Sequence, residues 1–201
     1  ELDEQYHSEH GAITESAHIF IQHGLATIPE DEVRILEIGF GTGLNALLTF
    51  IFTESQDSKK VKYTGLEKYP LEEREWSALN YADILGKQWD TVFRIIHESL
   101  WEREIELSPE FTLKKLESDI KTVVLKGCYD LIYFDAFAPD IQPELWTEKI
   151  FRQLYEHLSD RGVLVTYSVK GIVRRALEKT GFRVERLPGP PGKRQMMRAS
   201  K

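Results

Sequence analysis

The residues of this chain best suited to chemistry are an aspartate at the end of an apolar run, a group of closely spaced glycines and two more isolated acids. In "YDLIYFDAFAP", residues 129–139, apolar side chains lead up to Asp135, and a small residue, an aromatic and a proline follow. A carboxylate there has two readings. Aspartate commonly caps helices and starts turns. It can also take a proton from an alkylammonium and orient the remaining N–H bonds for attack on an electrophile. Capping of a helix that starts at Pro143 is disfavoured, because that proline stands eight positions further on. For amine chemistry, the Ala136 or Phe137 carbonyl can accept a second hydrogen. Phe137 offers a π face to an amine or base, and Pro139 stiffens the loop.

"LEIGFGTGLN" sets Gly39, Gly41 and Gly43 between a short apolar run and a stretch of helix formers. Glycines at a strand-to-helix junction let the backbone turn sharply and approach a ligand. The position that would complete a dinucleotide fingerprint is Leu44, whose bulk obstructs a pyrophosphate. S-adenosylmethionine has no pyrophosphate, and its amino acid part can lie over such a loop. Glu67 ends a second apolar run, where a carboxylate can accept ribose hydroxyl protons. Asp119 ends a third, within reach of an adenine amino group, and Asp135 ends a fourth. Ligands of open α/β sheets bind at the carboxyl ends of strands, so these acids and the glycines are expected to share one crevice. Asn45 and Lys68, beside the loop and beside Glu67, complete the expected cofactor-binding set.

Strand and helix patterns alternate along the chain. "VRILEIG", "VKYTGLEKYP", "FTLKKLES", "YDLIYFD" and "RGVLVTYS" read as strands. "GLNALLTFIF", "LEEREWSALNYADIL", "QWDTVFRIIHESL", "PELWTEKIFRQLYEHL" and "GIVRRALEKTG" read as helices, the fourth starting at its proline. Two late strands, "FRVERLP" and "KRQMMRAS", are joined by "GPPG", too short for anything but antiparallel pairing. A mostly parallel sheet covered on both faces and finished by an antiparallel hairpin is the layout of a class I, Rossmann-like S-adenosylmethionine-dependent methyltransferase. One α/β domain over residues 1–201 is expected. Residues 1–30 form an appended helical segment, with Ile13, Ala17, Phe20, Ile21 and Leu25 on one face.

At 41% hydrophobic, 201 residues suffice for one well-buried domain. No apolar run approaches the roughly 20 residues of a membrane helix. The acidic N-terminus is unlike a secretion signal, and without Met at position 1 a trimmed start is expected. The single cysteine, Cys128, leaves no intrachain disulfide or Cys-based zinc cluster and suits a reducing cytoplasm. The net charge of −7 speaks against a nucleic-acid partner until its distribution is considered. From Lys170 onward ten Lys and Arg residues face only Glu178 and Glu185, so this part carries +8 and the first 169 residues carry −15. Such asymmetry fits a polyanion-binding face, or equally a solvated basic stretch balancing an acidic body.

"EIGFGTGLNALL", "GLEKYPL", "ESDI", "YFDAFAPDIQPELWT" and "KGIVRRALEKTGFRVERLPGPPGKRQMM" resemble, in order and over nearly the whole chain, the methyltransferase part of the MnmC family. These are the bifunctional tRNA 5-methylaminomethyl-2-thiouridine biosynthesis proteins, and the D-x-F-A-P…P-x-[LM]-W-T string is the specific element. The resemblance implies methylation of the 5-aminomethyl group on a wobble uridine of tRNA, with S-adenosylmethionine as donor. By it, Asp135 is the catalytic carboxylate, Gly39, Gly41 and Gly43 form the cofactor loop, and Glu67 and Asp119 hold ribose and adenine. Arg174, Arg175, Lys193 and Arg194 fall on the RNA side, with Phe137 and Pro139 at the substrate. It also implies a cytoplasmic monomer. With no second glycine-rich strand-turn-helix, the chain resembles the stand-alone form, for which no flavin is expected. Ala136 stands where bifunctional members usually have Gly, which narrows the pocket slightly.

Other residues carry weaker signals. His7, His10, His18 and His23 lack acids at ligand spacing, so no metal is expected. Tyr6 is a candidate to close over the cofactor. Trp76, Trp89 and Trp101 read as packing residues, and Trp146 as pocket lining or as packing beneath the loop. Two alternatives stand beside the tRNA reading: a small-molecule amine methyl- or aminopropyltransferase, and a catalytically silent RNA-binding methyltransferase fold. The basic C-terminal stretch opposes a polyamine substrate, and the intact acids oppose a silent fold.

Overall fold

The computed structural model describes residues 11–56 and 58–201. Its centre is an eight-stranded sheet in the order β3-β4-β2-β1-β5-β6-β8-β7. The strands are β1 (Glu32–Ile38), β2 (Lys60–Glu67), β3 (Glu104–Ser108), β4 (Phe111–Glu117), β5 (Tyr129–Phe134), β6 (Leu158–Thr166), β7 (Arg183–Pro188) and β8 (Gln195–Ser200). β4, β2, β1, β5 and β6 run parallel, while β3 at one edge and β8 and β7 at the other are antiparallel. The expected doubly covered sheet and terminal hairpin are both present.

The alternation within β1 shows why two layers form. Ile35 faces a core with Phe20, Leu47, Phe50, Phe93 and Ile96. Leu36, its neighbour, faces the opposite core with Phe151, Leu154, Val173 and Leu177. Successive strand residues point to opposite faces, so an unbroken apolar strand requires helices on both. One layer holds helix α1 (residues 11–22, π-helical over Ala17–Gln22), α2 (Leu44–Glu54) and α5 (Asp90–Glu98). The other holds α6 (Glu148–Glu156) and α7 (Gly171–Thr180). α7 stops at Gly181, whose φ of +107° is left-handed. Among the described residues no helix is long and apolar enough to cross a membrane.

Four details depart from the sequence reading. "EIELS" forms the unforeseen strand β3, which hairpins onto β4, so Asp119 follows the fourth strand in the chain and not the third. The helix expected over "LEEREWSALNYADIL" is two short ones, α3 (Glu73–Trp76) and α4 (Tyr81–Leu85), with Trp76 buried between them and stacked on His97. Pro143 opens only a 3₁₀ turn, and α6 begins after Thr147. Lys193 and Arg194 belong to the turn before β8, not to the strand itself.

Candidate active site

The parallel strands direct their carboxyl ends to one edge of the sheet. There a cleft of about 700 Å³ is lined by Gly39 and Gly41, by Glu67, Lys68 and Asp119, and by Asp135 with Ala136 and Phe137. α1 adds Glu15, Ser16 and Phe20 on the far side of Asp135. Its size is ordinary for a site that encloses a small organic ligand.

The floor is the turn from β1 into α2. Gly39 has a φ of +88°, and a Cβ on it would lie 2.7 Å from the Asp135 carbonyl oxygen, so two chain segments meet there with no room for a side chain. Gly43, at φ +70°, packs on His97, whose Nε2 lies 3.1 Å from the Thr42 carbonyl oxygen and supports the loop from beneath. Burial first, and then Lys115, push the His97 imidazole down to about 4 despite that backbone contact, so it is neutral near pH 7.

Glu67 is bound to this loop. Its Oε2 accepts the Gly41 N–H at 3.0 Å, and its Oε1 accepts the N–H groups of Lys68 and Tyr69 at 2.8 and 2.9 Å. A carboxylate offers about four lone-pair directions, so roughly one remains for a ligand hydroxyl unless the loop shifts. Asp119 accepts the Lys121 N–H at 2.9 Å, and the ammonium groups of Lys68 and Lys121 lie 3.3 and 3.6 Å from its Oδ2. Burial acts to raise the pKa of Asp119, but these donors and cations outweigh it and hold the pKa below the usual carboxylate value. Lys68 is therefore the partner of Asp119, with its ammonium over the Tyr69 ring.

At Asp135 the backbone N–H donates to Ile38 O at 2.9 Å, fixing the end of β5 against β1. Among the described residues the side chain accepts one hydrogen bond, at Oδ2 from Asn45 Nδ2 at 2.9 Å. Burial, with Glu15 adding, raises its carboxyl to about 7 against the opposing effects of Asn45 and Lys193. Behind it Glu37 is fully buried, and burial pushes its pKa well above the usual value, the negative charges of Asp135 and Glu67 adding to the effect.

The loop after Asp135 is held from below. Tyr167 Oη donates to Ala136 O at 2.7 Å, and Trp146 Nε1 donates to Phe137 O at 2.8 Å. Both carbonyls expected to receive an amine hydrogen thus already accept one. Trp146 is buried against Phe134, Phe151 and Tyr167 and does not line the cleft, and Pro139 is likewise buried outside it. Phe137 and Ile141, 66% and 69% exposed, stand at the mouth.

The basic residues gather on the same edge. β8 runs antiparallel to β6, with Met197 opposite Thr166, so the turn carrying Lys193 and Arg194 sits at the carboxyl end of β6. Arg174 and Arg175 are exposed in the early turns of α7, which starts from that end. Lys193 pairs with Glu15 over the Tyr167 ring, Lys170 pairs with Asp140 in the Asp135 loop, and Arg174 pairs with Glu178. Of the four predicted RNA-side residues, Lys193 reaches the cleft's rim through Glu15 and Tyr167, while Arg174, Arg175 and Arg194 are exposed at the same end of the sheet without lining the cleft.

Glu15, Glu37, His97 and Tyr167 were not singled out from sequence. Glu37 had a signal, an acid inside an otherwise apolar strand. Glu15 and Tyr167 had none, because they reach the cleft through contacts between distant parts of the chain. His18 Nε2 lies 2.9 Å from Pro188 O, and its ring packs edge-on against His23. Among the described residues no cluster of three or more His, Cys, Asp or Glu could hold a metal. Tyr6, His7 and His10 lie outside the described residues.

The cleft suits S-adenosylmethionine. The glycine loop leaves open space above Gly41, where an added Cβ meets only Gly39 O at 4.0 Å. Along its wall Asp119 after β4, Glu67 at the end of β2 and Asp135 after β5 follow the strand order and suit amino, hydroxyl and cationic groups. Gly39, Gly41, Glu67 and Asp119 would hold the donor.

Known proteins match this picture. The chain is 29% identical over 211 residues to the tRNA 5-methylaminomethyl-2-thiouridine biosynthesis bifunctional protein MnmC of Cupriavidus metallidurans, covering 96% of the chain and 31% of the relative. With the protein of the same description from Cupriavidus necator the identity is 30%, covering 98% of the chain and 32% of the relative. The chain thus spans about a third of the length of these curated relatives. The crystal structure of MnmC2 from Aquifex aeolicus superposes with a TM-score of 0.75 at 27% identity, covering 94% of this chain and 60% of that one. A family model described as S-adenosyl-L-methionine-dependent methyltransferase matches residues 81–201. With the glycine loop, the acids at the strand ends and the sheet order in agreement, the chain belongs to the S-adenosyl-L-methionine-dependent methyltransferases.

Proposed function

We propose that this enzyme methylates a primary amine, the 5-aminomethyl group on a wobble uridine or 2-thiouridine of tRNA, giving the 5-methylaminomethyl nucleoside. The observation that carries the reading is the Asp135 carboxyl, raised to about 7 and set between the cofactor loop and a rim bearing Lys193 and Arg194. S-adenosylmethionine supplies, when bound, a methyl group activated by its sulfonium. An alkylammonium has no lone pair and cannot attack it. Asp135 takes the proton from that ammonium and leaves a neutral nucleophilic nitrogen, and a base titrating near 7 is matched to this task at neutral pH. Phe137, exposed at the mouth, offers its face to the uracil ring. Lys193, Arg194, Arg174 and Arg175 would meet the phosphates on either side. The electrophile comes already activated, so the reaction calls for neither metal nor flavin. Every group named lies in one chain, which fits a monomer.

Single-turnover transfer of labelled methyl tests this reading. Bulk tRNA from cells lacking the enzyme is set beside spermidine and other small amines, and the labelled nucleosides are identified by mass. Label at an aminomethyluridine is expected. Label on a polyamine alone would keep the cofactor site and overturn the RNA substrate. Bound but unlabelled tRNA would favour a silent binding fold.

A further inference from the structure

The proposed reaction leaves a buried carboxyl unexplained. Glu37 lies inside apolar β1 with 0% exposure, and both of its donors are neutral. Tyr63 Oη donates to its Oε2 and Asn45 Nδ2 to its Oε1, each at 2.7 Å. The other hydrogen of the same Asn45 nitrogen goes to Asp135 Oδ2 at 2.9 Å. An amide nitrogen carries two hydrogens, so Asn45 has no donor left for a ligand. Asn45 lines the cleft, but its Oδ1 is buried and, among the described residues, accepts no hydrogen bond. The amide is assigned with its nitrogen toward both carboxyl oxygens, the orientation that serves two ionised carboxylates; turned over, its oxygen could bond only a protonated one.

We propose that Asn45 is a positioning residue: it clamps Asp135 Oδ2 to the buried Glu37 and so presents Oδ1 to the amine. This rests on Asp135 being the reacting carboxylate, and it gives Asn45 a different task from the cofactor binding expected of it. Its place explains how it does so. Asn45 sits in the first turn of α2, directly after the glycine loop, and is buried against the sheet where β1 and β5 run side by side. Glu37 on β1 anchors the amide and Asp135 at the end of β5 receives it, so one side chain sets the carboxylate relative to the cofactor loop. The groups facing Asp135 are Glu15 from α1, Glu37 from β1, Tyr63 from β2, Tyr167 from the turn after β6, and Lys193 from the β7–β8 turn. None of these is seen to donate to the Asp135 side chain; among the described residues that hydrogen bond comes from Asn45. Hydrogen bonding to the charged form lowers a carboxyl pKa, so losing this bond raises it.

The test is a ¹³C-carboxyl NMR titration of Asp135 in the ligand-free protein, with Asp135→Asn identifying the resonance. In Asn45→Ala the midpoint is expected to rise by about one pH unit. The acid limb of kcat should move by the same amount, while the S-adenosylmethionine Kd stays within about threefold. Glu37→Gln keeps an acceptor for the Asn45 amide and is expected to hold the midpoint within about 0.3 unit of the wild type. If Asn45→Ala does not fold, Asn45→Ser is measured in the same way. An unmoved midpoint together with a Kd weakened tenfold or more would overturn the proposal and make Asn45 a cofactor ligand. So would a Glu37→Gln shift as large as that of Asn45→Ala, which would place the effect in the Glu37 charge. The titration needs neither donor nor tRNA. A wrong substrate would therefore appear in the labelling experiment and leave the titration result standing.

Discussion

The two ends of the cleft are made from different materials. At the cofactor end, contacts are largely made by backbone: Gly39 and Gly43 at positive φ, and Glu67 held by the N–H groups of Gly41, Lys68 and Tyr69. At the substrate end, side chains from remote segments meet. Glu15 pairs with Lys193 across 178 positions, Tyr167 supports Ala136 across 31, and Lys170 reaches Asp140 across 30. A backbone-built end holds one shape and a chemically constant ligand. An end built from exposed ion pairs can exchange them for those of an incoming polyanion, because such pairs are individually weak. Asp135 is the hinge between them, backbone-bonded to Ile38 and side-chain-bonded to Asn45.

The strongest way to break this comparison is to remove the hinge residue. Asp135→Ala is expected to lower single-turnover methyl transfer by about 10³-fold or more, within the range of general-base catalysis, with donor affinity nearly intact by calorimetry. A parallel loss of donor affinity would move Asp135 into the cofactor end. The next effect is steric. Gly39→Ala is expected to destabilise by about 2–4 kcal/mol in urea unfolding, from a left-handed φ combined with backbone overlap. Gly127→Ala is the control, since at φ +84° its added Cβ meets nothing within 4 Å. It should cost only about 1–2 kcal/mol, the backbone contribution alone. Equal costs would mean that the contact between Gly39 and the Asp135 segment does not constrain the loop.

The same division explains what could be read from sequence. Strand ends and the positive-φ glycines follow from local patterns, and Gly39, Glu67, Asp119 and Asp135 all line the cleft, although Asp119 does so from one strand later than expected. β3 was missed because "EIELS" is half-exposed at an edge and offers a weak alternation, and its pairing with β4 settles it. The helix over residues 71–85 was overextended, because burial of Trp76 on His97 overrides the run of helix formers. Asn45 was assigned by adjacency to the loop; it lines the cleft, and its hydrogen bonds to Glu37 and Asp135 join it to β1 and β5, out of reach of any motif. Glu15 and Tyr167 join the site only through the tertiary fold.

A subtler probe is stability against pH. The folded-state pKa of Asp135 is raised from 3.8 to about 7, the reverse of a salt-bridged aspartate. Between those values the folded state binds more protons than the unfolded, so this group's contribution to stability is lost as pH rises through about 7. The full linkage is roughly 4 kcal/mol, and about 2 kcal/mol is a fairer figure for a carboxyl partly open to cleft water. The stability of Asp135→Asn relative to wild type should therefore grow by about that amount between pH 4 and pH 8. A constant difference in urea titrations would mean that the carboxylate is solvated, and the cleft wetter, than the geometry implies.

The smallest expected effect tests the exchangeable end directly. Replacing Lys193 and Arg194 together by Ala should weaken tRNA binding by about 3- to 10-fold at moderate salt and reduce the slope of log K against log salt by about 1–2. Glu15→Gln tests the same exchange from the other side. In this structure Glu15 holds Lys193, so on the proposed reading an RNA phosphate would have to displace a carboxylate to take its place. Releasing that lysine should tighten binding by about 2- to 5-fold, the scale of one exposed ion pair. Opposite shifts in the two variants would make Lys193 the cation that leaves Glu15 for RNA. An unchanged salt slope in the double variant would put the RNA face elsewhere on the rim, with Arg174 and Arg175 of α7 next to be neutralised.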